Sequence, residues 1–369
     1  MSAAGPPQVV NCSLPEGRRA APRVILSTSQ PSMGLLQRGM GLIEVMISIV
    51  IGMLMVLVIY QIYEVSEGQK RTITAGSDAQ QNASYGLFVL SRDLAIAGNG
   101  IASAAATLDG CALLRPVPVL IAAGATDDDP DAITVLYGGS STLSTPVQFK
   151  QTASTAQPYV VPGPVGFSAN DVVAAVDGAN CTLSTINEGG IAVDGATGFT
   201  TLTHTPIAGA MGATYPAVTA SLVNLGQPAS MGRIVYTVDP AALTLRTQKR
   251  LPTNDPVTPV VSDVINLKAQ YGLDTDNDGI VDKWQDATGG IWSAANLSKQ
   301  PLATLQQIRA VRIAIVTRSA QYEKNPVTPG PLSIFDGDVS MTLTGDEQRY
   351  RYKVLETIVP LRNALWNAS

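Results

Sequence analysis

Four aspartates crowd into nine residues at Asp274-Thr275-Asp276-Asn277-Asp278-Gly279-Ile280-Val281-Asp282. Counted from Asp274, the carboxylates occupy loop positions one, three, five and nine, a spacing that lets them converge on one hard cation. Gly279 at position six permits the sharp turn such a loop needs, and the Ile280 carbonyl supplies a seventh-position ligand. A flexible, all-oxygen shell suits Ca²⁺ better than the smaller, octahedral Mg²⁺. Position twelve is Gln285, where a sensor-type loop would place a bidentate glutamate, so the expected role of Ca²⁺ is structural. The competing reading is a solvated acidic turn, but four neighbouring carboxylates repel one another without a counter-ion.

A second carboxylate stands where a carboxylate is costly. From Arg38 to Tyr63 the chain reads RGMGLIEVMISIVIGMLMVLVIYQIY, with Glu44 in an apolar run and no charge from Val45 to Tyr63. A helix rising about 1.5 Å per residue spans a ~30 Å hydrocarbon core over that length. A lone acid in such a helix costs roughly 2.5–3.5 kcal/mol at the bilayer centre, so Glu44 needs a partner. The remaining candidates for chemistry are few. His204 is the only histidine, set among Thr and Pro, and reads as a surface loop residue. No phosphate-binding loop, His/Cys cluster or nucleophile motif is present, and Trp284, Trp292 and Trp366 are too scattered for a stacking platform. The chain does not read as an enzyme.

The elements that must position these residues follow from periodicity. Past Tyr63 a polar, proline-free stretch leads to Ala83, Leu87, Leu90, Leu94 and Ala97, spaced as one buried helical face. Gly98-Asn99-Gly100 provides the stop. Residues 40–97 are expected to form one helix, about 87 Å long if continuous, apolar in its first half and amphipathic in its second. Gly52, Gly68, Gly76 and Gly86 each weaken it by about 1 kcal/mol relative to alanine. Beyond Gly100 short β-like segments alternate with Gly, Pro, Asp and Asn. Ala132–Tyr137 and Val172–Val176 read as strands, and Arg233–Val238 and Leu243–Thr247 as a hairpin around Asp239-Pro240. Val311–Ile315, Val339–Leu343 and Tyr352–Val359 complete the set. Ser140–Pro228, rich in Thr, Ala, Gly and Pro, reads as inserted loops and irregular strands. The fold class is α+β: a long N-terminal helix packed on an antiparallel β-sheet domain.

The formal charge is −5, and beyond residue 39 the chain holds 20 basic against 28 acidic side chains, a balance of −8. A chain of that sign has no general attraction to nucleic acid. Arg38 before the apolar run and Glu64 and Glu67 after it place the start of the chain in the cytoplasm and the β domain outside it. Of three cysteines, Cys12 precedes the helix, while Cys111 and Cys181 belong to the exported part. An oxidising compartment favours a Cys111–Cys181 bridge over two buried thiols.

Arg38, Gly39, apolar Met40, Glu44 four residues later and the uninterrupted run resemble the class III signal of type IV pilins and pseudopilins. The resemblance implies that a prepilin peptidase cuts after Gly39, that Met40 becomes the N-methylated first residue, and that Glu44 guides assembly. Met40 replaces the usual phenylalanine. Residues 1–39 are then a leader, 40–97 the pilin helix with its transmembrane part at 40–63, and 98–369 an exported β-rich domain with the calcium-type loop at 274–285. Residues 1–32 lack the apolar core of a secretory signal. Met33 would open a short leader, MGLLQRG, which makes 1–32 an expected over-extension of the gene model. Phe88–Gly100 (FVLSRDLAIAGNG), Arg312–Ser319 (RIAIVTRS), the aspartate loop after Tyr271-Gly272-Leu273 and Val359–Asn363 (VPLRN) are similar to PilW-type minor pilins. That likeness implies a subunit of a priming or tip complex that works with other minor pilins, the major pilin and the inner-membrane assembly platform in twitching motility, adhesion or DNA uptake. It also implies a single-pass inner-membrane protein with a periplasmic domain before assembly, at the pilus or cell surface afterwards. The alternatives are a J-type pseudopilin of type II secretion and a membrane-anchored binding protein or adhesin that never polymerises.

Overall fold

The computed structural model describes residues 41–139, 145–178 and 180–363, in two units divided between Tyr63 and Glu64. Helix α1 runs Leu42–Ala95. In the first unit its side chains are exposed throughout, Leu42 by 80% and Ile59 by 64%. Among the described residues it is the one helix long and apolar enough to cross a membrane.

In the second unit the same helix is amphipathic, and the expected stripe is the buried one. Ala83, Leu90, Leu94 and Ala97 are buried, with Leu87 packed against the same core. Each buried leucine contributes about 1.5–3 kcal/mol. Gly86 lets the helix lie close to the sheet, since a Cβ there would stand 2.9 Å from Ile315 Cδ1. One acid shares this face: Asp93 accepts from the buried Tyr236 hydroxyl at 2.6 Å and from Arg92 Nε at 2.9 Å. Burial, then the bond to Asp93, push the Tyr236 hydroxyl far above its ordinary value. The helix stops where expected, with Gly98 and Gly100 at φ of 78° and 66°.

Nineteen strands follow among the described residues. β1 (Val119–Ala122) and β2 (Ala132–Tyr137) open the domain. Next come β3 (Val147–Gln148), β4 (Ala153–Ser154), β5 (Tyr159–Val161), β6 (Val172–Asp177), β7 (Asn180–Val193), β8 (Thr200–Gly209), β9 (Thr214–Tyr215) and β10 (Ser221–Gly226). β11 (Gly232–Asp239), β12 (Thr244–Leu251) and β13 (Thr258–Ser262) precede β14 (Val264–Leu273) and β15 (Lys283–Gln285). β16 (Ile308–Arg318), β17 (Leu332–Ile334), β18 (Val339–Met341) and β19 (Tyr352–Pro360) complete the chain. All pairings are antiparallel. Sheets of order β1-β2-β11-β12-β13 and β15-β14-β16-β19 hold the core that α1 covers.

Two expectations need correction. Ser140–Pro228, expected as inserted loops and irregular strands, is more ordered than that: its described residues build a six-stranded sheet, β3-β10-β6-β7-β8-β5, between the paired strands β2 and β11. Its inward positions include Ala174, Ala175, Thr182 and Ser184, all at 0% exposure, so small residues carry the buried faces and leave no alternation of large apolar side chains to read. The strand expected over Val339–Leu343 ends at Met341, as half of the short β17–β18 hairpin.

Candidate functional site

The aspartate loop joins β14 to β15, two adjacent antiparallel strands, and is held at both ends. Asp274 N donates to Gln307 O at 2.9 Å and Asp282 N to Leu273 O at 2.8 Å. Gly279 takes φ +89° at the turn, as its position six requires. Side-chain oxygens of Asp274, Asp276 and Asp282 gather within 4.8 Å of one another. Oxygens on opposite sides of one Ca²⁺ stand roughly 5 Å apart at Ca–O distances of 2.3–2.6 Å, so this donor set fits that ion. Asp278 lies outside the trio and accepts instead from Ile280 N at 2.7 Å.

The sequence reading missed Arg309. From β16 it donates Nε to Asp274 Oδ2 at 2.8 Å, with both side chains buried. Burial pushes the Asp274 carboxyl up, but the Arg309 hydrogen bond, the Gly279 N–H and the Arg309 charge outweigh it and hold the group below the usual carboxylate range. Asp282 is held low by Thr275, whose hydroxyl and N–H both donate to Oδ2 at 2.6 Å. Mutual repulsion of the aspartates is therefore already relieved in part by a cation of the chain itself. The pairing of Leu273 with Ile308 sets Arg309 beside the loop; a signal would have been an arginine next to a strand otherwise buried.

Glu44 lies in the first turn of α1, exposed among exposed apolar neighbours. Its backbone is helical, with Ser48 Oγ donating to Glu44 O at 2.7 Å, and among the described residues no side chain reaches its carboxylate. Gly39 and Met40, the expected processing site, lie outside the described residues, as do the leader 1–39 with Met33 and Cys12, and Trp366. Cys111 and Cys181 are bonded, with Cα atoms 5.2 Å apart, and tie the segment after α1 to β7 within a shared apolar cluster.

His204 is not a loop residue. It sits in β8 with its ring stacked on buried Tyr159 at 3.6 Å between centroids, and its Nε2 lies 3.0 Å from Gln157 O. Burial pushes its pKa below the ordinary value, against the Gln157 contact. It packs as a neutral aromatic ring.

Residues 235–363, from within β11 to the last described residue, match the family described as Type IV Pilus-assembly protein W. Among solved structures, a type IV-like pilin from Thermus thermophilus aligns over 77% of this chain and 96% of its own, at 11% identity and a TM-score of 0.36. No curated protein matches the chain significantly. The matched region contains the aspartate loop, Arg309 and the carboxy-terminal strand β19, and over residues 235–363 the chain is similar to the PilW family.

Proposed function

We propose that the chain is a minor pilin that primes or caps a type IV pilus. The observation that carries this reading is the change of character along α1: apolar and exposed around Glu44 before Tyr63, then packed by one stripe into a PilW-type domain. Before assembly the apolar segment anchors the subunit in the inner membrane, with the β domain on the periplasmic side. During assembly the Glu44 carboxylate pairs with the methylated amine of Met40, on its own or a neighbouring chain, after a prepilin peptidase has cut behind Gly39. Pairing removes the cost of an unaccompanied charge in a low-dielectric core, which favours ordered insertion among the other minor pilins and the major pilin. Polymerisation energy comes from a separate ATPase at the assembly platform. In this reading the loop at Asp274, Asp276 and Asp282, with the Ile280 carbonyl, holds Ca²⁺ as a structural ion that fixes the β14–β15 turn. Glu44→Ala is expected to leave the chain membrane-inserted and folded but to abolish its co-purification with other minor pilins. Unchanged co-purification and piliation would refute the assembly mechanism.

A further inference from the structure

β5 is the outer strand of the six-stranded sheet, and it is short. It pairs with β8 at Tyr159↔Leu202, Val160↔Thr201 and Val161↔Thr200. Carried two residues further, the same antiparallel register sets Gln157 opposite His204. Pro158 lies between and has no N–H, so the backbone ladder stops there. The His204 ring takes its place, with Nε2 3.0 Å from Gln157 O. A carbonyl only accepts, so Nε2 carries the proton and Nδ1 the lone pair. Nδ1 is buried and has no hydrogen-bond partner among the described residues. The ring lies at 15° to that of Tyr159, whose residue is 0% exposed. This place suits one charge state. A proton on Nδ1 makes a buried N–H without an acceptor, on a charge partly removed from water. The Tyr159 face attracts a cation, but burial outweighs it and holds the His204 pKa below the ordinary value, against the Gln157 contact.

We propose that His204 is an acid-operated latch on β5: protonation swings the ring out of its stack, breaks the bond to Gln157 and frees Gln157–Val161 from β8, while the other sheets stay closed. No neighbouring charge offsets the added proton. β8 has no other titratable residue, and β5 has only Tyr159, whose hydroxyl is pushed up to about 12 by burial. On β7, Glu188 is exposed in the irregularity after Ile186, the residue paired with His204. Lys150, whose N–H bonds Val160 O, carries its ammonium to the Phe199 ring, and Asp171 turns its carboxylate to Asn224 and Gln227. Tyr215 of β9 bonds Thr182. Once the segment opens, His204 titrates near its ordinary value of about 6.5. The open form therefore binds more protons as pH falls below that value. The closed form loses stability until its own, lower pKa is reached, where the loss levels off. Opening uncovers Tyr159 and the Phe149 ring beside it. His204 is the only histidine, so no other side chain ordinarily changes charge near that pH.

The test uses the full chain in detergent micelles, with isotope-labelled histidine so that NMR reports one residue. The titration should show an Nε2–H ring at neutral pH and a pKa below about 6.5. Hydrogen exchange read by mass spectrometry, corrected for the intrinsic effect of pH, follows the strands. Tyr159–Val161 should lose about tenfold in protection between neutral pH and about pH 5, while β11 and β12, in a separate sheet, keep theirs. His204→Phe keeps a ring on Tyr159 and removes the titration, so its β5 should be equally protected at both pH values. Circular dichroism checks that the variant folds, and the titration of the parent stands without it. A His204 pKa at or above the ordinary value, undiminished protection of β5 in acid, or the same acid-dependent loss in His204→Phe would each overturn the proposal.

Discussion

Removing the charge of Lys268 tests how the domain tolerates ions in its interior. Lys268 and Asp131 are each 5% exposed, with Nζ 3.3 Å from Asp131 Oδ1, and the ammonium also donates to Thr126 O at 3.0 Å and Asp129 O at 2.6 Å. Asp131 in turn accepts from Gly124 N and Ala269 N, both at 2.9 Å. Lys268→Met keeps most of the stem but strands a buried carboxylate and two carbonyls. Breaking such a pair costs about 3–5 kcal/mol, which lowers a urea midpoint by roughly 1–2 M at an m-value of about 2–3 kcal/mol/M. The deficit must also depend on pH. Burial already raises the Asp131 pKa, while the Gly124 N–H, the Lys268 charge and the Ala269 N–H lower it. Without Lys268 it rises further above the unfolded value of about 3.9. The folded variant then takes up a proton more readily than the unfolded chain, so its deficit shrinks as pH falls through the folded pKa towards that value. The assay is urea unfolding in micelles, followed by tryptophan fluorescence, at neutral and mildly acidic pH. A deficit under about 1 kcal/mol, or one equal at both pH values, would refute charge burial as its origin.

Three further outcomes are expected. Reduction of Cys111–Cys181, or Cys111→Ser with Cys181→Ser, should cost about 4 kcal/mol for a bridge spanning 70 residues, read as a lowered unfolding midpoint. Leu90→Ala empties a fully buried site beneath α1 and should cost about 2–5 kcal/mol in the same assay. Millimolar Ca²⁺ should raise the melting temperature of the parent but not of Asp276→Ala with Asp282→Ala; identical responses would remove Ca²⁺ from the loop.

Legibility in the sequence followed side-chain size and distance along the chain. Ala83, Leu90 and Leu94 announced the packed helix face because large apolar residues recur at helical spacing. Gly98 and Gly100 announced its end. The strands rich in Val and Ile, β2, β11, β16 and β19, were visible for the same reason. Of the sheet from β3 to β10 only β6 was visible, as Val172–Val176; its other strands were not, because positions such as Thr182 and Ser184 bury little bulk and carry no period. At the aspartate loop, ligand spacing predicted the convergence of Asp274, Asp276 and Asp282 but not the exclusion of Asp278. Nor did it predict Arg309, thirty-five residues away from Asp274 and adjacent only through strand pairing. His204 was misplaced because its stacking partner, Tyr159, is likewise distant in sequence.

The central claim is that this chain becomes a processed, filament-forming subunit, and its mature amino terminus tests that most directly. Mass spectrometry of the chain from cells with an active prepilin peptidase should find a first peptide beginning at Met40 with a methylated α-amine. It should find the segment through Gly39 retained when the peptidase is absent. An uncleaved chain with an unmethylated amine in both backgrounds would contradict the account.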